Sequence, residues 1–153
     1  MTERPFYAVL PQQLNFNDEI VLKGKIKDSA TVFSVNFCLE PSTTPSFIAY
    51  HFKTNFTVDR DVGVVHNHKN FAWGEEIVSS NTWCDGPGDE FILTFLFTSR
   101  DITVYTDDDN RCFQYKFDHH LDIADIKTVQ IWDDLDYITE VIFRYKHPSE
   151  NSI

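Results

Sequence analysis

Phe33-Ser34-Val35-Asn36-Phe37-Cys38-Leu39 alternates large apolar side chains with small or polar ones. Successive side chains of an extended strand point to opposite faces, so a period of two marks a strand with one face in a core. A helix would repeat its apolar positions every three to four residues, about one turn, and this stretch does not. Outward from it, Ile48, Tyr50 and Phe52 alternate with Ala49 and His51, and Ile102 and Val104 alternate with Thr103 and Tyr105. Phe91 to Phe97 is mostly apolar at both parities, broken by Thr94, which predicts a strand covered on both sides. Val129 with Ile131, and Val141 with Phe143, supply two later strands. The aromatic and β-branched content is what a pleated surface favours.

Turn chemistry punctuates these runs: Pro11-Gln12-Gln13, Asn17-Asp18, Lys27-Asp28-Ser29, Pro41 to Pro45, Gly86-Pro87-Gly88 and Asp107-Asp108-Asp109-Asn110. Short strands interrupted this often predict an all-β sandwich or barrel. Only His120 to Ile126 has room for a helical turn. The 153 residues fit one domain, 1–153, with a core over about 9–143 and a tail from Pro148 to Ile153 expected to fray. No repeat, linker or low-complexity segment interrupts it.

The chain carries 13 Lys and Arg against 24 Asp and Glu, a formal charge of −11, which disfavours phosphate backbones and anionic lipid as partners. Met1 to Phe6 has neither a basic nor an apolar signal region, and no apolar run is long enough to span a bilayer. Neither nucleic-acid binding nor membrane insertion is therefore expected. Cys38, Cys84 and Cys112 are odd in number and form no C-x-x-C pair, so free thiols in a reducing, cytoplasmic setting are expected. The sequon Asn55-Phe56-Thr57 should then stay unmodified.

Polar side chains that could carry chemistry concentrate between His51 and Glu76. His51, Lys53 and Asn55 share one parity, opposite to Tyr50 and Phe52; Asn67, Trp73 and Glu76 follow. Imidazole, amide and carboxylate groups beside an indole suit a sugar: hydroxyls need fixed hydrogen-bond partners, and a pyranose C–H patch packs on an aromatic plane.

The order of these residues resembles the galectin family. Ile48-Ala-Tyr-His-Phe-Lys-Thr-Asn-Phe56 resembles the strand usually written I-A-L-H-F-N-P-R-F. Val65-His66-Asn67 resembles the following V-x-N strand, and Trp73-Gly74-Glu75-Glu76 resembles W-G-x-E. Leu10-Pro11 through Gly24, Gly88 through Phe97, and Ile123 to Val141 resemble the family's flanking strands, so Val9 to Phe143 is accounted for. The resemblance implies a concanavalin-like jelly-roll sandwich of two antiparallel sheets, with a β-galactoside groove on the concave face. It implies that His51 faces the axial 4-hydroxyl, that Asn67 and Glu76 serve the 6-hydroxyl side, and that Trp73 stacks under the ring. Where the family has Asn, Pro and Arg, this chain has Lys53, Thr54 and Asn55; the Arg after W-G-x-E is Val78. Both guanidinium forks are gone, and neither an amide nor an isopropyl group replaces a planar, charged fork.

The expected function is therefore carbohydrate binding at an altered β-galactoside site formed by His51, Lys53, Asn55, Asn67, Trp73 and Glu76. The alternative is a galectin fold kept as a protein-interaction or structural module. The expected partner is a glycan or glycoconjugate; a homodimer is compatible, as is export without a signal peptide. No cofactor and no metal are expected. His66-x-His68 has metal-ligand spacing and, with Glu75 or Glu76, invites comparison with the cupin pattern, but six residues separate His68 from Glu75 and no later His follows a P-x-G. The Asp107–Asn110 run lacks the glycine and distal glutamate of a calcium loop and reads as a hairpin tip. No nucleophile signature occurs, and the adjacent Glu75 and Glu76 point opposite ways on a strand, so no enzyme is expected.

Overall fold

The computed structural model describes residues 5–148. Of the tail expected to fray, residues 149–153 lie outside the described ones. Twelve strands run in chain order as β1 (Phe6–Val9), β2 (Asp18–Ile26), β3 (Val32–Cys38), β4 (Phe47–Asn55), β5 (Val64–Asn70), β6 (Ala72–Trp73), β7 (Ile77–Ser79), β8 (Glu90–Phe97), β9 (Asp101–Thr106), β10 (Cys112–Asp118), β11 (Thr128–Asp133) and β12 (Leu135–Arg144). Helix among the described residues is confined to two 3-10 turns, Arg60–Val62 and Ile123–Asp125, the second inside the His120–Ile126 stretch singled out above. Each is N-capped by an aspartate, Asp59 or Asp122, whose carboxylate accepts a backbone N–H two residues on.

The strands form two antiparallel sheets. One has the order β1-β11-β3-β4-β5-β6, with β7 pairing on β5 beyond β6; the other has the order β10-β9-β8-β2-β12. The fold is the all-β sandwich the periodicity predicts. Phe33, Val35 and Phe37 of β3 face Phe91, Leu93 and Phe95 of β8 in the buried layer between the sheets. Phe37 sits edge-on to Phe95 and Phe97, with ring centroids 4.8 and 5.3 Å apart. Each such buried side chain contributes about 1.5–3 kcal/mol of transfer free energy, and edge-to-face contact adds specificity.

Two features depart from simple alternation. In β8 the outward Ile92 and Leu96 are only half-buried, whereas Thr94 is buried, its hydroxyl donating to the Asp107 carbonyl at 3.2 Å. In β3 the polar parity is buried as well: Ser34 and Asn36 are 3% and 8% exposed. They lie on the floor of a concave sheet, where the side chains of β4 and β11 rise on either side.

On the opposite sheet, Arg144 of β12 and Arg111 each reach Glu19 of β2 and Asp108 of the β9–β10 tip. The Arg144 guanidinium foremost holds the Asp108 carboxyl down at about 2. The Asp107–Asn110 run is thus a hairpin tip, as its composition predicts, with Asp107 at φ 62°.

Candidate functional site

The register of the first sheet sets the site. Gln130 of β11, Asn36 of β3, His51 of β4 and Asn67 of β5 stand opposite one another in one row. Trp132, Ser34, Lys53 and Val65 form the adjacent row, and Lys69 pairs with Trp73 of β6. Side chains of one parity share a face, so these groups, apart from the fully buried Gln130, line a single open groove, walled by Thr43, Thr44 and Pro45 on one side and by Gly74 and Glu76 on the other. The opposite parity, Tyr50, Phe52, Val64 and His66, enters the core.

His51 is fixed by Asn36, its Nδ1 2.5 Å from the Asn36 Oδ1. Because that oxygen accepts, Nδ1 carries the proton and Nε2 keeps a lone pair. Burial, assisted by the Lys53 charge, pushes His51 down to about 4, so the ring is neutral near pH 7. Nε2 has no partner among the described residues. The Trp73 ring lies beside the imidazole, with centroids 4.8 Å apart and planes tilted by 56°. Trp73 is 49% exposed, and the Lys69 ammonium sits 5.4 Å from its centroid.

Trp73 is placed by a tight turn. Phe71 takes the left-handed conformation, φ 62°, and its N–H donates to the Ser46 carbonyl. A bulky residue there is strained, and edge-on packing of Phe71 against Phe47 at 4.6 Å helps hold it. Asn67 locks the other end: its Nδ2 donates to the Gly74 carbonyl at 3.0 Å and its Oδ1 accepts the His68 N–H at 2.8 Å. A Cβ at Gly74 would overlap the His68 imidazole, so a larger residue here requires that ring to shift.

Of the residues singled out from sequence, His51, Lys53, Asn67, Trp73 and Glu76 come together in the groove. Asn55 closes β4 on the same parity but outside the groove wall, and its Oδ1 accepts the backbone N–H and hydroxyl of Thr57 in a local turn. Val78 sits on β7 opposite Val65, half exposed. Ser34, Asn36, Lys69 and Trp132 were not singled out. The polar parity of β3 and β5 carried a signal for the first three. Trp132 is held by its indole N–H, which donates to Gln130 Oε1 at 2.9 Å.

The two histidines with metal-ligand spacing have separate environments. His66 is buried between Tyr50 and Ser79, 2.6 Å and 3.1 Å from their hydroxyls, whereas His68 stacks on His120 at 4.1 Å. No cluster of three or more potential metal ligands occurs among the described residues.

A jelly-roll sandwich with a polar groove floored by one sheet and an indole at its edge defines a lectin-type domain. The family model of the galactoside-binding lectins matches residues 5–143, and the chain belongs to that family, the galectins. Among solved structures, sheep galectin-11 in complex with glycerol is similar in fold: 20% identity, TM-score 0.74, covering 93% of this chain and 98% of that one. A comparison with curated protein sequences finds no match.

Proposed function

We propose that this galectin-type lectin domain binds a glycan in the groove between Trp132 and Glu76, with a selectivity changed from that of a plain β-galactoside site. The observation that carries this reading is the pairing of Trp73 with His51. A half-exposed indole offers a stacking plane, and the adjacent neutral imidazole, oriented by Asn36, presents an unoccupied Nε2 acceptor for a sugar hydroxyl. Glu76 adds a carboxylate acceptor at the rim. Lys53 stands where the family motif has Asn, and no guanidinium lines the groove among the described residues. Losing charge-assisted hydrogen bonds of about 1.5–3 kcal/mol each leaves weak affinity. A dissociation constant of about millimolar, near −4 kcal/mol, is expected.

A specific observation favours the second reading, a fold retained as an interaction module. The Asn67 and Asn55 amides already serve the protein's own backbone, so their presence has a structural reason independent of sugar. Titrating lactose and N-acetyllactosamine by NMR separates the two. Trp73→Ala should abolish binding, and Asn55→Arg with Val78→Arg should strengthen it at least severalfold. Equal binding by wild type and Trp73→Ala would place the site elsewhere. Absence of binding to any glycan by both wild type and the double-arginine variant would establish the interaction-module reading.

A further inference from the structure

The chain's charge of −11 makes its surface repel anions in general, and against that background the cations within the groove are conspicuous. Lys53 stands mid-groove on β4. Across the strands its neighbours are Ser34 and Val65, and along its own strand on the same face they are His51 and Asn55. All four are uncharged, the imidazole included, because burial and Lys53 itself keep it neutral. Lys53 is only partly exposed, and no carboxylate lies within ion-pair distance of it among the described residues.

Two carboxylates, Asp133 and Glu76, line the groove, and neither is ion-paired with Lys53. Asp133, on β11, accepts a hydrogen bond from the Ser34 hydroxyl at 2.9 Å, and Glu76 lies past Trp73. The second groove lysine, Lys69, is held over the Trp73 ring. Lys53 is thus a partly exposed ammonium in the groove with no ion-paired carboxylate among the described residues, and its N–H donors are open to an incoming anion.

We infer that the preferred ligand is an acidic glycan, a galactoside bearing a carboxylate or sulfate substituent, seated with its anionic group on the Lys53 ammonium. The inference rests on the glycan-binding reading above. An ammonium is a compact charge with three freely rotating donors, so it accepts a planar carboxylate or a tetrahedral sulfate equally, unlike the rigid fork of an arginine. The two chemistries differ only in which saccharide carries the charge. Asp133 sharpens the choice: it repels an anionic group placed one strand further along and leaves Lys53 as the favourable position.

The experiment is a calorimetric titration of lactose, sialyllactose and sulfated lactose into wild type, Lys53→Asn, Lys53→Glu and Lys53→Arg, with thermal melting to confirm that each variant is folded. At low salt the acidic sugars should bind wild type roughly tenfold more tightly than lactose, the strength of one charge-assisted contact at a partly exposed site. That ratio should shrink as ionic strength rises. It should fall to about one in Lys53→Asn, drop below one in Lys53→Glu, and survive in Lys53→Arg. The sialylated and sulfated arms then report which substituent the site takes. Equal affinity of wild type for lactose and both acidic sugars would overturn the inference while leaving groove binding intact. So would a preference that persists in Lys53→Asn. Failure of wild type to bind any of the three would overturn the glycan reading and this inference together.

Discussion

Stability should fall steeply with acid because of His66. Its ring is 2% exposed, lodged between the sheets, with Nδ1 2.6 Å from the Tyr50 hydroxyl and Nε2 3.1 Å from Ser79 Oγ. Two hydroxyls satisfy a neutral imidazole, but no carboxylate among the described residues is bonded to it to balance an imidazolium. Burial accordingly pushes the group from 6.5 down to about 4. The folded protein binds this proton more weakly than the unfolded chain does. The contribution is therefore complete above pH 6.5 and is lost as pH falls towards 4. The whole gap is worth about 3 kcal/mol, of which about 2 kcal/mol is gone by pH 5. For a chain of this size that loss lowers Tm by roughly 4–8 °C. Melting by circular dichroism between pH 7.5 and 4.5, on wild type and His66→Gln, isolates the effect. The variant should melt lower at pH 7.5, because Tyr50 and Ser79 lose a shaped partner, yet fall less steeply with acid. His51, also pushed down to about 4, titrates in both proteins and cancels in the difference. Parallel curves for the two proteins across this range would refute the assignment of the acid sensitivity to His66.

The cysteines should react in two classes. Burial foremost pushes the Cys38 and Cys84 thiols up to about 12 and about 11, whereas Cys112 is exposed on β10, so a thiol reagent should label one site quickly in native protein and three after denaturation without reductant; a denatured count of one would reveal a disulfide. Gly74→Ala drives a methyl into the His68 ring, so that ring must leave its stack on His120 or the Trp73 turn must shift. A loss of about 1–3 kcal/mol in stability, with weakened glycan binding followed by indole fluorescence, is expected; wild-type melting and affinity would show that the Gly74 close approach is unimportant.

The sandwich is legible in the sequence because strand parity is a local property. Phe33, Val35 and Phe37 need only their own neighbours to declare an inward face, and β8 declares the face that meets it. The burial of Ser34 and Asn36 is not local. It follows from the curvature of a sheet in which β3 lies between β4 and β11, and β11 comes far later in the chain. Trp132 escaped notice for the same reason, since it joins the groove only through its pairing with Ser34. Motif spacing locates His51, Asn67 and Trp73, but what an amide does at such a position depends on tertiary geometry. Asn67 spends both ends of its side chain on the His68 and Gly74 backbone, and Asn55 turns to Thr57.

Substitutions in the motif therefore carry unequal weight. Asn55, where the family has Arg, leaves the groove and serves a turn, while Lys53, where the family has Asn, stays in the groove with an unbalanced charge. On the proposed reading, the first change would subtract a contact from a neutral sugar, and the second would add an attraction to an anion. On the proposed glycan-binding reading, a site that retains its stacking plane and neutral imidazole, but has lost both guanidinium forks and gained a single ammonium, would keep its hold on the sugar ring and move the point of discrimination to the substituent that the ring carries.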